Sequence, residues 1–432
     1  MTSRPVVDVP ARVVRKLTSG LNLGAVHLPR ARRAVLEAHV RVGSRYEQAD
    51  DNGISHFLEH MLHRGIPNHP SAHAQAYAFE ELGAALSAAT YADHGTLSVQ
   101  VPPENLSAIL PMLADVLLRP IFSSLEIEKG IVREEILEGV DERGKSVDPE
   151  TLLRSLAFDG HPLGFPIAGN LETLERFDLT MLERHHRAHY VAGGTVITLA
   201  GPLEPEIALR EAEAAYAGIP AGAPPSVIPP AAQAETRFLH VREAGSQSSL
   251  RVGFRAASER DPLEPATELL LRVLDDGMAT RLYQRLCDDR GLCYDVSANY
   301  EAYADAGLFE IAADTAHERL PDVLAEILGI VRTLRDAGPS EAELAKAKRR
   351  YAWQLAEYSD DPAALAAFYS LGALTGVGQA PDTRLAELEA VSLSDLRRAA
   401  AELFTRERLS VVIVGRLSKK QSERLERSLQ EL

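Results

Sequence analysis

Two stretches far apart in this chain repeat each other, and that repetition constrains the fold more than any single residue does. YVAGGTVITLAGPL, beginning at Tyr190, aligns without gaps on FTRERLSVVIVGRL, beginning at Phe404, an offset of 214. Each stretch is a turn followed by a β-branched strand that stops at a glycine, Gly201 or Gly415. Upstream, Arg41-Val42-Gly43 at the end of an apolar strand aligns with Arg251-Val252-Gly253, an offset of 210. Between the copies lies AGIPAGAPPSVIPPAAQAET, residues 217–236, whose five prolines and near absence of charge suit a semi-rigid connector rather than a core. Each half then runs strand, helix, further strands, and several helices before a last strand. The expected fold is α+β, duplicated, with domains at 1–219 and 237–432 joined by a linker at 220–236. A chain of 432 residues is too long for one compact core, which agrees.

Composition narrows the function. Forty-five per cent apolar and 25% charged residues are ordinary for a globular protein. A net charge of −16 argues against a nucleic-acid partner, which would demand a basic stripe. MTSRPVVDVPARVVRKL has neither an apolar core of signal-peptide length nor a small-residue cleavage site, so a cytoplasmic protein is expected. The uncharged run Pro362 to Pro381, largely Ala and Gly, reads as a packed core helix and not as a membrane span. Cys287 and Cys293, six apart, match neither a redox CxxC nor a zinc ribbon and are expected as free thiols.

The chemistry concentrates in GISHFLEHMLHRG, residues 53–65. Ile54, Phe57, Leu58, Met61 and Leu62 fall at i, i+3, i+4, i+7 and i+8, an apolar helical stripe. Asn52 and Ser55 are the expected caps. On the other side His56, Glu59, His60 and His63 share one narrow arc. His56 and His60, one turn apart, can aim two ring nitrogens at a common Zn²⁺, and Glu59 beside them can accept a proton from water that the metal acidifies. HxxEH is the inverted-zincin motif. Two histidines leave such a metal short of a protein ligand. The helix expected within SSLEIEKGIVREEILEGVDER, Ser123 to Arg143, offers Glu134 or Glu135, and spacing alone does not choose between them. Glu128 shares a face with Glu135, two turns away. Solvated surface charge is the expectation for Glu138 and Glu142.

These blocks resemble the pitrilysin family of zinc metallopeptidases. GSRYEQADDNGISHFLEHMLHRG and EKGIVREEI carry the likeness, with Glu135 standing 75 positions after His60; HPLGFPIAGNLETLERF and DDGMATRLYQRLCDDRGLCYDVSA extend it across nearly the whole chain. The resemblance implies His56, His60 and Glu135 as ligands of one Zn²⁺ per chain, Glu59 as general base, and Glu128 as an auxiliary group orienting the site. It implies two homologous domains in a clamshell-type homodimer or heterodimer that closes a chamber. The expected activity is endopeptidase cleavage of oligopeptides or unfolded segments. Opposite HFLEHML, at an offset of 212, the second half reads ELLLRVL, Glu268 to Leu274, with no ligand set.

Three departures stand out. The family's second half places an Arg and a Tyr at the substrate carbonyl of the facing site; here Tyr294 is present, but Cys287 holds the Arg position and Arg285 lies two places earlier. The edge strand that takes the peptide reads GAALSAAT, so Ser87, with Ala88, Ala89 and Thr90, replaces an Asn-containing segment and keeps only backbone pairing intact. His63 replaces a Phe and is expected to be idle. The altered Arg position gives an alternative, a non-catalytic or partner-dependent subunit of a heterodimeric processing peptidase. No GxxxxGK[ST], GxGxxG or GxSxG occurs, so a nucleotide enzyme or serine hydrolase has no support.

Overall fold

The structure is a computed structural model that describes residues 10–378 and 380–432. The first nine residues, part of the segment considered above for a leader, and Gln379 lie outside the described residues.

Two sheets organise the chain. The first contains β1 (Arg12–Lys16), β2 (Asn22–His27), β3 (Ala34–Val40), β4 (Ala85–Thr90), β5 (Gly95–Val101) and β6 (Thr195–Gly201), in the order β1-β2-β6-β3-β5-β4. The second contains β7 (Arg237–Val241), β8 (Ser248–Arg255), β9 (Val296–Ala302), β10 (Gly307–Thr315) and β11 (Leu409–Val414), in the order β7-β11-β8-β10-β9. Without β1 the two orders are identical. Both sheets also have one parallel pair, β2 with β6 and β7 with β11, beside antiparallel neighbours. The α+β duplication is therefore present in the topology as well as in the sequence.

The register corrects one expectation. Val35 lies opposite Ala200 on β6, and Ser249 lies opposite Val414 on β11, so the equivalent strands are offset by 214 and not 210. A slip of four residues leaves every side chain on its own face, because strands alternate with a period of two. The hydrophobic pattern could not tell the two alignments apart. Gly201 and Gly415, both at φ 146°, end the equivalent strands. A Cβ on either would run into the start of the neighbouring strand, at Ala34 or Ser248.

Each sheet packs one face on the helices of its own half, giving two main cores. The other faces are covered by exchange. The first-half helix Pro149–Ala157 lies on β8 and β11, with Leu153 buried against Val412 and Val414. Gly253 admits it, since a Cβ there would meet Leu153 Cδ1 at 2.8 Å. Reciprocally, the second-half helix Pro362–Thr375 lies on β3 and β6, burying Leu365, Ala366 and Tyr369 against Val26, Val35 and Ala200. The Ser370 hydroxyl donates to Thr198 Oγ1 at 2.7 Å beneath it. This is the uncharged Ala/Gly run, and its small residues allow the close approach to the sheet. No helix among the described residues is long and apolar enough to cross a membrane.

Residues 221–234 form neither helix nor strand. They are tied to both halves: the Gly193 N–H donates to Gly222 O at 2.9 Å, and Gln233 Nε2 donates to Leu409 O at 2.8 Å.

Candidate metal centre

The histidine helix spans Ile54–Met61, and its apolar stripe is fully buried in the first core. Its N-terminus is not capped as expected. Gly53, at φ 94°, provides no side chain, and Glu47 reaches back from the preceding turn instead. Glu47 Oε2 accepts from the Gly53 N–H at 2.7 Å and from Asn52 Nδ2 at 2.9 Å, while Oε1 accepts from the Ser55 N–H at 2.9 Å. Asn52 and Ser55 are thus partners of the cap. Ser55 Oγ accepts from the Gly43 N–H at 3.1 Å and lies 3.0 Å from His185 Nε2. Glu47 is almost wholly buried, which pushes its carboxyl up from the ordinary range against the pull of these donors. A negative group at a helix N-terminus satisfies orphan N–H groups and meets the positive end of the dipole.

On the opposite side of the helix three groups converge. His56, His60 and Glu135 each offer one ligand atom, all within 4.8 Å of one another. His56 Nε2 lies 3.2 Å from Glu135 Oε1, and His60 Nε2 lies 3.4 Å from Glu135 Oε2. Glu135 comes from the helix Leu125–Glu138; its neighbour Glu134 is exposed and outside the cluster. Contact with His56, then His60, holds the Glu135 carboxyl well below the usual carboxylate range.

Around this trio the chain supplies orienting contacts. His60 Nδ1 lies 2.8 Å from Glu128 Oε1, so an N–H there donates to the carboxylate and Nε2 keeps its lone pair for a ligand. Glu128 is buried and also pairs with Arg64. The donor set, two imidazole Nε2 atoms and one carboxylate with a fixed tautomer at His60, fits a tetrahedral divalent metal with one open position. Glu59 is not part of the trio. The Thr90 hydroxyl donates to its Oε2 at 2.6 Å, so the last residue of β4 holds the carboxylate beside the cluster. Glu59, His60, His63 and Glu128 line a cleft of about 420 Å³. Among the described residues β4 is the outermost strand of its sheet, with Ser87 opposite Ser98 and Ala89 opposite Thr96 on its strand partner, β5.

Two family models match the chain: "Insulinase (Peptidase family M16)" over residues 25–170 and "Peptidase M16 inactive domain" over residues 176–351. The chain belongs to peptidase family M16, the pitrilysin family. A relative from Rickettsia bellii, named "Uncharacterized zinc protease", is 29% identical over 353 residues, covering 80% of this chain and 83% of its own. One of the same description from Bacillus subtilis is 27% identical over 391 residues, covering 90% and 94%. In solved structures the fold is shared with a protease from Helicobacter pylori, at TM-score 0.86 and 17% identity over 95% of this chain and 100% of that one. It is shared too with a peptidase M16 inactive domain from Pseudomonas fluorescens, at TM-score 0.84 and 21% identity over 94% and 98%.

Not every expected residue of this M16 chain gathers at the cluster. Tyr294 is 95% exposed on the loop before β9 and lines no part of the cleft that holds Glu59 and His60. Arg285 donates through Nε to Glu326 Oε2 at 2.7 Å, and Arg290 shares that carboxylate at 2.5 Å. Cys287 packs against the second core, its Sγ 3.9 Å from that of Cys293, both as free thiols. His63 lies in the cleft wall, and burial lowers its basicity. Glu47 and Arg64 went unnoticed in the sequence, since their partners are set by the turn and by a second helix.

Proposed function

We propose that this M16 chain is a zinc-dependent endopeptidase acting on oligopeptides or unfolded segments, with His56, His60 and Glu135 as ligands and Glu59 as general base. The observation that carries this reading is the convergence of both Nε2 atoms and the Glu135 carboxylate beside Glu59. Zinc in that set supplies a Lewis-acidic charge that polarises a peptide carbonyl and acidifies water. Glu128 holds the His60 ring through Nδ1, and Thr90 holds Glu59 Oε2, leaving Oε1 to accept the proton. β4, ending at Thr90, aligns an extended peptide by adding it as a further strand past Ser87, Ala88 and Ala89, so specificity there rests on backbone hydrogen bonds. The exposed Tyr294 serves a facing site in a dimer rather than the site of its own chain. Residues 1–219 and 237–432 act as the two domains, with 220–236 as the connector.

The test is Glu59→Gln. It is expected to keep one zinc per chain and to lose peptide cleavage by about 10²–10⁴-fold, the range of a general base. Wild-type rates in a zinc-replete variant would exclude Glu59 from the chemistry.

A further inference from the structure

The two cysteines of the chain meet across a short surface loop. Cys287 lies in the π-helical segment Tyr283–Asp288, and Cys293 directly precedes the exposed Tyr294; their Sγ atoms are 3.9 Å apart. Both are half-buried, with their side chains packed on the rim of the second core. The backbone sets this meeting from both sides. The Gly291 N–H donates to Cys287 O at 3.0 Å, and the Leu292 N–H donates to Leu286 O at 2.8 Å. The Thr315 hydroxyl donates to Leu292 O at 2.6 Å, which ties the loop to the end of β10. Leu286 and Leu292, each next to a cysteine, are buried in the core. Between these anchors Asp288, Asp289, Arg290 and Gly291 are exposed, and Gly291, at φ 54°, makes the reversal.

Held this way, the two sulfurs need to approach by only about 2 Å to reach the length of an S–S bond, a distance that rotation of the two side chains supplies. A metal is the other common use of paired thiols. Among the described residues, however, the cluster of three ligand groups is the histidine–glutamate trio, so the pair has no third protein ligand. Neither cysteine lines the cleft of the metal centre.

We propose that Cys287 and Cys293 form a reversible intrachain disulfide, a redox-sensitive clip on the loop that leads through Tyr294 into β9. The oxidant is a small-molecule disulfide. The Cys287 thiolate attacks one of its sulfurs, forming a mixed disulfide and expelling one small thiolate. The Cys293 thiolate then attacks Cys287 Sγ, closing the protein S–S bond and expelling the second. The two protons lost by the protein thiols end on the two small thiols, so one dithiol is oxidised as one disulfide is reduced. Burial raises the Cys287 thiol, and burial, then the charge of Cys287, pushes the Cys293 thiol up to about 12. Thiols so little ionised react slowly, and once joined they are poor leaving groups, so the clip persists until a strong reductant arrives. The clip does not depend on the peptidase reading.

The test equilibrates the full chain in mixtures of reduced and oxidised glutathione, then quenches with acid, alkylates in denaturant and maps the peptides by mass spectrometry. The wild type is expected to lose both alkylatable thiols together and to yield a Cys287–Cys293 cross-link within a single chain, reversed by dithiothreitol. Cys293→Ser is expected to stop at a glutathione adduct on Cys287, and Cys287→Ser at an adduct on Cys293. In the oxidised wild type the amides of Gly291 and Leu292 are expected to exchange with deuterium about tenfold more slowly than in the reduced protein, a change absent from both variants. Glutathione adducts that persist on the wild type, disulfides between chains, or thiols still alkylatable after equilibration with oxidised glutathione alone would overturn the proposal. So would loop exchange that oxidation leaves unaltered.

Discussion

In the first half the helix after β3 turns His56 and His60 toward Glu135 on a second helix; in the second half the helix after β8 carries Glu268 and Arg272 at the positions 212 residues later. There Arg272 is ringed by its own acceptors. Glu268 and Asp276 each lie 3.3 Å away, the Gln354 amide oxygen accepts from Nη2, and the guanidinium sits 4.7 Å over the Tyr351 ring. Arg350, from the same helix as Tyr351 and Gln354, closes on Asp276 at 2.6 Å. One half gathers lone pairs around a place for a cation; the other has a cation built into the chain. The comparison teaches how one duplicated helix contact can carry a cluster of lone pairs or an ion-pair network on the same packing. A guanidinium with five donors joins two helices permanently, and its acceptors have nothing left to offer a metal.

The largest effect should separate the halves by activity. His60→Ala is expected to remove the metal and lower peptide cleavage by about 10³-fold or more. Zinc analysis with a peptidase assay checks it, and retained zinc at full occupancy would break the contrast. Arg272→Ala should leave zinc stoichiometry intact but cost about 3–5 kcal/mol in urea unfolding, because Glu268 is left buried without its ion-pair partner, while Asp276 keeps Arg350. A loss under about 1 kcal/mol would show that the network contributes little. Glu47→Gln should come next, at about 2–3 kcal/mol, since an amide cannot accept from three N–H groups as a carboxylate does. The second-half helix has no side-chain cap and carries Pro265 in its first turn, so an equivalent loss has no counterpart there.

The smallest effect is a pH slope of opposite sign in the two halves. Burial, opposed by Arg272, raises the Glu268 carboxyl above its ordinary value near 4.5. Between that value and its folded value the native state holds more proton than the unfolded chain, so this group's contribution declines as pH rises through the window. Glu135 is held low by His56 and His60, so in the metal-free protein its contribution is present above the ordinary carboxylate range and declines on acidification. Glu268→Gln should flatten the stability profile above the ordinary glutamate range. An unchanged profile in chemical unfolding from pH 5 to 8 would place the slope elsewhere.

Much of the site was legible because it is local. Helical spacing alone sorts Phe57, Leu58 and Met61 from His56, Glu59 and His60, and three imidazoles with one acid are an unusual polar face. The carboxylate that joins the two imidazoles was legible only as a choice between adjacent glutamates. Tertiary packing separates them: burying Val132 and Ile136 in the core turns Glu135 toward the imidazoles, while Glu134 lies outside the cluster. Arg285 illustrates the opposite case. It lies two places before Cys287, and the π-helical segment Tyr283–Asp288 sets it against Glu326, a contact that spacing does not show.

Periodicity and repetition in the sequence were enough for the duplicated α+β plan and the histidine face, since each depends on residues within a few turns or on one strand. What joins distant segments was decided by the tertiary structure: the Glu47 cap, the Thr90 contact to Glu59, the exchange of helices between sheets, and a register of 214 instead of 210. Each is a meeting of surfaces whose energy depends on shape and desolvation after folding. A strand slipped by four keeps the same faces and so the same pattern; only packing against its neighbours distinguishes the two.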